Sequence, residues 1–307
     1  MNSRAAVSYF TDSHDAGKAP QISVVMGVFN GAPFLREAID SILSQTLADF
    51  EFIIVDDAST DETAEIVQSY EDTRIRLVLN ESNLGLAKSL NRGIALARGK
   101  YIARQDADDV SFPDRFLSQV TYLEQYPDVG VVGTSVEWVD DEGNSFKVWP
   151  TGHNNEEIQR LLLRTCPLIH GSVLFRTVCT EDVGIYDGLM RTGQDYDLWL
   201  RVSEKWDLAI LPEVLYRYRW HPQMVSVMRK AEQQHNATYA IQQAIQRRMA
   251  YGRRRIGLER EPTPTWIQQV NRRWLARRYV WWSQGAREID RGVAVQLLLF
   301  AVMLDPT

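Results

Sequence analysis

Cysteine and long apolar runs are scarce in this chain of 307 residues. Its two cysteines, Cys166 and Cys179, cannot form the disulfide framework of a small secreted protein, and they fit a reducing compartment. The chain has no run of about 18 uncharged apolar residues, so no membrane-spanning helix is expected. Residues 1–19 lack the apolar segment of a secretory signal. We expect these residues to form a flexible leader of a cytoplasmic protein.

Two glycine-rich phosphate-binding motifs are also missing. The loop after the first predicted strand lacks G-x-G-x-x-G, and the chain lacks G-x-x-x-x-G-K-S/T. These absences argue against a dinucleotide-binding enzyme and against a P-loop nucleotide hydrolase. If the ligand carries phosphates, we expect a metal ion rather than a glycine-rich loop to meet their charge.

Charge is unevenly distributed along the chain, whose net charge is -6. Residues 228–307 carry more Lys and Arg than Asp and Glu, whereas residues 1–227 carry an excess of acids. The acidic part would repel nucleic acid, so no nucleic-acid partner is expected. The basic part has two interpretations: a solvated helical surface, or a surface that meets an anionic partner such as a membrane face.

Strand and helix patterns alternate through residues 20–135. Continuous apolar runs at 22–28 and 50–55 predict strands that are covered on both faces. Apolar pairs four residues apart predict helices between the strands. This alternation predicts an α/β fold in which helices flank a mostly parallel sheet. The other predicted strands are 75–79, 100–104 and 129–134, and the predicted helices are 33–47, 59–70, 85–98 and 113–125.

The rest of the chain divides into a mixed part and a helical part. Over residues 136–225 we expect a hairpin at 135–149, helices at 154–164 and 195–205, and strands at 172–176, 208–211 and 214–219. From residue 226 onward no strand pattern remains. Two or three helices are expected there, with breaks at Pro262, at Pro264 and around 283–285.

Acidic side chains follow two of the predicted strands. Asp56 and Asp57 come after the second strand, and Asp106, Asp108 and Asp109 come after the fourth. The carboxyl ends of parallel strands meet at the edge of the sheet where ligands bind. Acids so close together repel one another unless a cation or hydrogen-bond donors lie among them, and Mn²⁺ or Mg²⁺ would serve. The structural alternatives are a helix N-terminal cluster for the first pair and a polar turn for the others.

Asp195 stands at the start of the helix predicted over 195–205. One interpretation is that its carboxylate caps the helix. In the other, the carboxylate points into a cleft and deprotonates a hydroxyl nucleophile.

Five motifs in this order resemble those of bacterial family 2 glycosyltransferases. They are ISVVMGVFN, FIIVDDASTDET, NLGLAKSLNRGIALARGKYIARQDADDVSFPDR, IHGSVLFR and GQDYDLWLR. The resemblance spans roughly residues 20–225 and is strongest to enzymes of surface-polysaccharide synthesis. It implies a GT-A domain over 20–225, with a nucleotide-binding half (20–135) and an acceptor half (136–225), followed by a helical region over 226–307.

The resemblance also implies roles for individual residues. The donor nucleotide would be held by Gly27, Val28, Phe29, Asn30, Asp56, Asp57, Lys88, Asp106 and Ala107. A divalent cofactor, Mn²⁺ or Mg²⁺, would bind Asp106 and Asp108, and His221 would reach the metal or the diphosphate. Asp195 would be the catalytic base, and the acceptor side would include His170, Asp109 and Trp199.

Two positions depart from the family pattern. Gln194 stands where an acid often precedes the base, so Asp195 lacks that partner. Leu90 precedes Asn91 where many members have an arginine, and Lys88 is the alternative cation for the diphosphate. The implied activity is inverting, metal-dependent sugar transfer from a nucleoside-diphosphate sugar, with UDP favoured. The implied acceptor is a hydroxyl of a saccharide or of a lipid-linked saccharide.

The residues leave other classes of protein open. A sugar-phosphate nucleotidyltransferase also combines an α/β domain with metal-binding acids, but it usually has a basic, glycine-rich loop near the first strand. Residues 24–33 contain no Lys or Arg. A dehalogenase-type phosphatase would have D-x-D directly after the first strand, where G-V-F-N stands. A non-catalytic nucleotide- or carbohydrate-binding module would not need Asp195 in a cleft.

Aromatic and cationic side chains interleave in the basic tail. Trp274, Trp281 and Trp282 lie among Arg272, Arg273, Arg277 and Arg278. This mixture suits a helix lying on anionic lipid headgroups. Peripheral membrane contact through the C-terminal helices is therefore a hypothesis, and it would suit a lipid-linked acceptor.

Overall fold

Nine strands form one mixed sheet in the computed structural model, which describes residues 18–149, 152–255 and 271–305. The strands are β1 (Ile22–Val28), β2 (Phe50–Asp56), β3 (Ile75–Leu79), β4 (Tyr101–Arg104), β5 (Val110–Ser111), β6 (Val129–Val139), β7 (Ser145–Trp149), β8 (Leu174–Arg176) and β9 (Asp207–Arg219). Their order is β3-β2-β1-β4-β8-β6-β9-β5, and β7 pairs with β6.

Helices connect these strands and continue beyond the last of them. They are α1 (Ala32–Leu43), α2 (Thr63–Gln68), α3 (Leu86–Leu96), α4 (Arg115–Gln125), α5 (Asn155–Leu161), α6 (Val178–Val183), α7 (Gln194–Val202), α8 (Val225–Met228), α9 (Lys230–Arg255), α10 (Arg272–Ala286) and α11 (Arg291–Leu304). A short 3₁₀ helix covers His170–Ser172. None of the described helices is both long and apolar enough to cross a membrane.

The α/β class expected from the sequence is confirmed. Strands β1 to β4 are parallel neighbours, as the β-α-β order predicts. Strand β8 lies between β4 and β6 and is antiparallel to both. Strands β5 and β7 are antiparallel to β9 and β6, respectively. The sheet is therefore mixed: β1 to β4 form one parallel part, and β6 and β9 form a second parallel pair on the other side of β8.

Two hydrophobic cores lie on opposite faces of the sheet. Successive side chains of a strand point to opposite faces, and in β1 Val24 and Met26 belong to one core whereas Val25 belongs to the other. Helix α1 packs on the first core, and helix α3 packs on the second. This double coverage is why β1 and β2 are buried along their whole length.

Several expected boundaries are wrong, each for a local reason. The helix predicted over 59–70 begins only at Thr63, because side chains of Asp56 and Asn30 hold the backbone of Ser59 and Thr60 in a loop. The two strands expected at 208–211 and 214–219 are one strand, β9, whose pairing with β6 is irregular near Val214. The short elements β5, α6 and α8 were not predicted from the sequence pattern.

The C-terminal helices share a core with the α/β part. Buried side chains of α9, α10 and α11 join the cluster that contains Trp199 and Leu208. Helix α10 continues through 283–285, where a break was expected. Its Gly285 lies so close to α5 that a Cβ atom there would be 2.5 Å from the Arg160 carbonyl oxygen. The expected breaks at Pro262 and Pro264, and residues 1–17 of the expected leader, lie outside the described residues.

Part of the tryptophan–arginine pattern of α10 lies in the interior of the protein. Trp282 and Arg278 are fully buried. The Arg278 guanidinium donates to Asp207 Oδ1 (2.5 Å) and packs over the Trp274 ring. These contacts tie α10 to β9, whereas Arg272, Arg273 and Arg277 are exposed. Packing between helix and sheet therefore accounts for only part of the pattern.

Candidate active site

The carboxyl ends of β1, β2 and β4 bring the predicted donor-site residues to one edge of the sheet. Val28 is paired with Asp56 in the parallel register, and Val25 is paired with Arg104. The Asp57 N–H donates to the Val28 carbonyl (2.8 Å), which joins the two strand ends. The segment Gly27–Asn30, the pair Asp56–Asp57 and the loop after Arg104 therefore form one continuous edge.

The loop after β1 is held in an unusual backbone conformation. Asn30 has φ of 52° and Ala58, in the facing loop, has φ of 63°, a region that non-glycine residues seldom occupy. Asn30 Oδ1 accepts a hydrogen bond from the Thr60 N–H (2.8 Å), and the Asn30 N–H donates to Ser59 Oγ (2.9 Å). Phe29 next to it is 49% exposed. Asn30 thus fixes the loop, and the Phe29 side chain stays partly open to solvent at this edge.

Asp57 organises the start of α3. Its buried carboxylate accepts hydrogen bonds from Asn80 Nδ2 (2.7 Å), the Leu84 N–H (2.8 Å) and the Gly85 N–H (2.8 Å). Lys88, in the first turn of α3, is exposed, and it lies beside Gly188, where a Cβ atom would be 3.2 Å from Lys88 Cγ. The predicted phosphate cation therefore faces the segment that leads into α7.

Asp106 is held by a buried arginine that we did not single out from the sequence. Arg104 Nη2 donates to Asp106 Oδ1 (2.5 Å), and the Asp106 N–H donates to the Tyr216 hydroxyl (3.3 Å). Burial raises the pKa of Asp106, and the neighbouring Arg104 opposes that rise. Gly171 touches the same group, because a Cβ atom there would be 2.6 Å from Asp106 Oδ2.

Asp108 meets His221 across the end of β9. The distance from His221 Nε2 to Asp108 Oδ2 is 3.0 Å, and this hydrogen bond raises the pKa of His221. Within the described residues, however, no three His, Cys, Asp or Glu side chains form a preformed metal cluster. Of the expected ligands, Asp108 and His221 are brought together, whereas one Asp106 oxygen is engaged by Arg104. Ala107 lies between the two aspartates and is half-buried.

Asp109 does not face the acceptor side, which corrects the expectation for this residue. It is 1% exposed, and its Oδ1 accepts a hydrogen bond from the Arg219 N–H (2.8 Å). Burial, together with the charges of Asp108 and Asp106, raises its pKa well above the usual range. Asp109 connects the loop of residues 106–109 (the aspartate loop) to β9. It therefore has a structural role in holding the site residues in place.

Trp199 is likewise inside the protein rather than on the acceptor side. Its side chain is fully buried and lies edge-on to the rings of Phe175 (5.7 Å between centroids) and His170 (6.3 Å). His170 Nε2 is 2.8 Å from the Tyr186 hydroxyl. Burial lowers the pKa of His170 well below its usual value, with the charge of Arg104 adding to this. His170 is therefore a neutral side chain between the Trp199 core and the Arg104–Asp106 pair.

Asp195 opens onto a groove of about 600 Å³. Two tryptophans, Trp138 and Trp220, line the groove together with Cys166 and Lys230. Burial raises the pKa of Asp195, backbone N–H groups at the start of α7 oppose the rise, and the negative charge of Asp106 adds to it. The Asp195 carboxylate thus belongs to the same electrostatic site as Asp106, and the groove extends from it to Trp220, the neighbour of His221.

Sequence reasoning missed the side chains that hold these loops in place. Arg115 donates to Gln105 Oε1, Ser111 Oγ and the Gly171 carbonyl, and burial lowers its pKa to about 10. It connects the aspartate loop with the 3₁₀ helix. The usable signal was an arginine two residues after Pro113 in a motif already noted. For Tyr186, which approaches from a distant segment, the chain offered no local signal.

Comparisons with known proteins identify the family of this chain. The model of the family "Glycosyl transferase family 2" matches residues 23–183. EpsE of Bacillus subtilis, named as a glycosyltransferase, is 38% identical over 207 residues, covering 65% of this chain and 73% of EpsE. A glycosyltransferase of Methanocaldococcus jannaschii is 35% identical over 206 residues, covering 65% of this chain and 71% of that protein.

Solved structures share the fold. Staphylococcus aureus TarS, residues 1–349 in complex with UDP, superposes with a TM-score of 0.58 at 17% identity, covering 93% of this chain and 88% of that one. The complex of the same fragment with UDP-GlcNAc gives a TM-score of 0.59 at 16% identity, covering 93% and 90%. The fold is therefore the GT-A type that the sequence motifs implied. With a family model that spans more than half of the chain, the protein belongs to glycosyl transferase family 2 and is a glycosyltransferase.

Proposed function

We propose that the enzyme moves a sugar from a nucleoside-diphosphate sugar, with UDP favoured, to a hydroxyl of a saccharide or lipid-linked saccharide, with inversion at the anomeric carbon. The motifs favour a role in surface-polysaccharide synthesis. One observation carries the proposal: the Asp195 carboxylate opens onto a groove, within electrostatic reach of Asp106 at the strand edge. The TarS complexes with UDP and UDP-GlcNAc support the choice of UDP for the same fold.

Asp195 is the general base in this proposal. A base within reach of the acceptor hydroxyl removes its proton as the oxygen attacks the anomeric carbon, and typically contributes about 10²–10⁴-fold in rate. Burial raises the pKa of Asp195, so its carboxylate is a stronger base than an exposed one. Attack by the acceptor itself, in one step from the face opposite the leaving diphosphate, inverts the configuration.

The donor lies along the edge formed by β1, β2 and β4 in this proposal. Phe29 supplies apolar surface for the nucleobase, and Asp57 fixes the loop over which the nucleotide lies. Lys88 provides a cation for the diphosphate, from the first turn of α3, where the helix dipole also favours negative charge. Arg104 keeps Asp106 oriented toward the donor.

The donor set at the end of β9 fits a divalent cation. A carboxylate oxygen and an imidazole nitrogen, 3.0 Å apart on Asp108 and His221, are ligands that Mn²⁺ accepts, and diphosphate oxygens can complete its coordination. When bound, the cation would act as a Lewis acid that neutralises the departing diphosphate. Arg104 already engages Asp106, so we assign Asp108 and His221 as the direct ligands and Asp106 as a contact to the donor.

The groove beside Asp195 is the proposed acceptor site. Trp138 and Trp220 form apolar walls of the kind that stack on sugar rings, and Lys230 and Gln233 provide hydrogen-bond donors. Tyr186 lies within electrostatic reach of both Asp195 and Asp106, and its hydroxyl is 2.8 Å from His170 Nε2. We propose that Tyr186 and His170 contact the sugar being transferred.

The test is turnover of a panel of UDP-, dTDP- and GDP-sugars with a hydroxyl acceptor, in the presence of Mn²⁺ and after chelation. We expect release of UDP, loss of turnover on chelation, and an NMR coupling constant that reports the anomeric configuration opposite to that of the donor. A product with the donor's configuration would contradict single displacement. Undiminished turnover after chelation would contradict the metal assignment while leaving the base untouched.

A further inference from the structure

Helix α11 is apolar on two opposite faces. Its inner face is buried in the core and consists of Ala294, Leu297, Phe300, Ala301 and Leu304. Its outer face consists of Val295, Leu298, Leu299, Val302 and Met303, which are 58%, 39%, 55%, 54% and 57% exposed. These five positions follow the i, i+3, i+4, i+7, i+8 spacing of one helical stripe. Within the described part of the chain, the outer face of α11 stays open to solvent.

Basic side chains border the outer face at its N-terminal end. Arg287 and Arg291 line a shallow pocket of about 380 Å³ together with Val295 and Leu298. From Arg291 to Leu304 the helix contains no acidic residue. Apolar side chains and guanidinium groups therefore share one continuous surface.

The acidic residues that lie between Arg287 and Arg291 in the sequence have other partners. Glu288 pairs with Arg164 (2.6 Å), and Asp290 caps α11 by accepting a hydrogen bond from the Gly292 N–H (2.7 Å). No ion pair involves Arg287 or Arg291 among residues 18–149, 152–255 and 271–305. This border thus offers two cations to an anionic partner.

The size of the outer face favours a bilayer over a protein partner. Five side chains at about half exposure present roughly 400 Å² of apolar surface, which is about the size of the largest apolar patch on a typical monomer, a patch that is often functional. A stable protein interface buries about 800 Å² per partner, so this stripe alone is too small to hold a second copy of the chain. A bilayer needs no matching shape, since apolar side chains enter the boundary between headgroups and acyl chains while cations meet the phosphates.

We propose that the outer face of α11 docks the enzyme on an anionic lipid bilayer. The five apolar side chains enter the headgroup–acyl boundary, and Arg287 and Arg291 contact lipid phosphates. The binding is peripheral, because the inner face of the same helix remains in the protein core. It depends on ionic strength, because screening weakens the attraction of arginines to anionic lipid. This proposal is independent of the chemistry assigned to Asp195.

The experiment is flotation of the full chain with vesicles of phosphatidylcholine containing one quarter phosphatidylglycerol, and with vesicles of phosphatidylcholine alone. We expect binding to the anionic vesicles that weakens as salt is added. The double variant V295Q/L299Q should bind more than about tenfold more weakly, and R287Q/R291Q should lose the preference for anionic lipid. The matched control L117Q/V148Q alters two side chains that are each 47% exposed on other elements, and it should bind like the unsubstituted chain.

Three results would overturn the proposal. The first is no flotation of the unsubstituted chain at low salt. The second is equal binding by V295Q/L299Q, provided that its thermal unfolding matches that of the control. The third is protection of the outer face by protein in the absence of lipid. It would be seen as a dimer in analytical ultracentrifugation that V295Q/L299Q converts to a monomer. It would also be seen as slow amide hydrogen exchange in α11 that becomes faster when residues 1–17 are deleted. Either result would show that protein, not lipid, covers the outer face of α11.

Discussion

Burial of Asp195 at the start of α7 sets the pH dependence that we expect for sugar transfer. Because its pKa is raised, Asp195 becomes protonated at a higher pH than an exposed aspartate, whose pKa is about 3.9. A general base acts in its ionised form, so kcat/KM should be flat above the raised pKa and fall about tenfold per pH unit below it. A pH–rate profile of the unsubstituted enzyme, checked for stability by circular dichroism at each pH, measures this limb. An acidic limb at the ordinary aspartate value would contradict a buried base.

Gly171 lies so close to Tyr216 and Asp106 that the site has no room for a larger residue at this position. A Cβ atom there would be 2.0 Å from the Tyr216 hydroxyl and 2.6 Å from Asp106 Oδ2. Gly171→Ala should therefore displace Asp106, and a shift of about 1 Å in a site typically costs on the order of 10²-fold in rate. Steady-state kinetics measure the loss, with the exposed Gly292→Ala as control. Turnover of Gly171→Ala within about twofold of the parent would contradict the contact.

The acidic residues of the site were predictable from the sequence, whereas their surroundings were not. Asp106 and Asp195 occur in local motifs at the ends of a predicted strand and at the start of a predicted helix. Their positions in the sequence were therefore enough to predict them as site residues. Tyr216 lies 110 residues from Asp106 along the chain, and a partner of this kind is set by tertiary packing. For the same reason, the burial of Trp199 and Asp109 could not be distinguished from exposure by residue type.

At the scale of elements, Gly285 determines how closely α10 packs on α5. A Cβ atom there would be 2.5 Å from the Arg160 carbonyl oxygen, a backbone atom that cannot rotate away. Gly→Ala inside a helix gains about 1 kcal/mol in propensity, but overpacking against backbone costs about 1–3 kcal/mol. Gly285→Ala should therefore lower the free energy of unfolding in urea. An increase of about 1 kcal/mol would mean that the two helices can separate freely.

Element types were predicted better than element ends. Strands β1 and β3 were predicted with their observed bounds: β1 is a nearly continuous apolar run, and the polar residues Arg74 and Asn80 flank β3. Helix α2 begins late because Asn30, from another loop, competes for the Thr60 N–H. The N-terminal end of α5 is the local case: Asn154 and Glu157 form a capping box, and the prediction began one residue from the observed start.

At the scale of the whole molecule, buried arginines join the C-terminal helices to the α/β part. Arg278 of α10 donates to Asp207 Oδ1 and to the Ser203 carbonyl (2.5 Å), and Arg248 of α9 donates to Ser203 Oγ (3.0 Å). The expected division at residue 226 thus falls within one shared core. A composition shift marks where strands stop, but it carries no information on whether the helices that follow pack against them.

Arg278→Ala should therefore destabilise the entire protein. Breaking a buried pair by removing one partner typically costs about 3–5 kcal/mol, because the remaining charge and polar groups lose their partners. The exposed neighbour Arg277 gives a matched control, and Arg277→Ala should stay within about 0.5 kcal/mol of the parent. Urea unfolding followed by both circular dichroism and tryptophan fluorescence measures the difference. An early separate transition of the C-terminal helices would contradict the shared core.

Sugar transfer by Asp195→Asn tests the assignment of the base most directly. Donor binding is measured by calorimetry with the UDP-sugar that the panel selects, and turnover is measured with the matching acceptor. Asp187→Asn, which removes an exposed carboxylate from the preceding loop, is the control. We predict that Asp195→Asn lowers kcat by about 10²–10⁴-fold, while its Kd for the donor stays within about twofold of the parent. Turnover close to that of the parent would show that another group takes the proton.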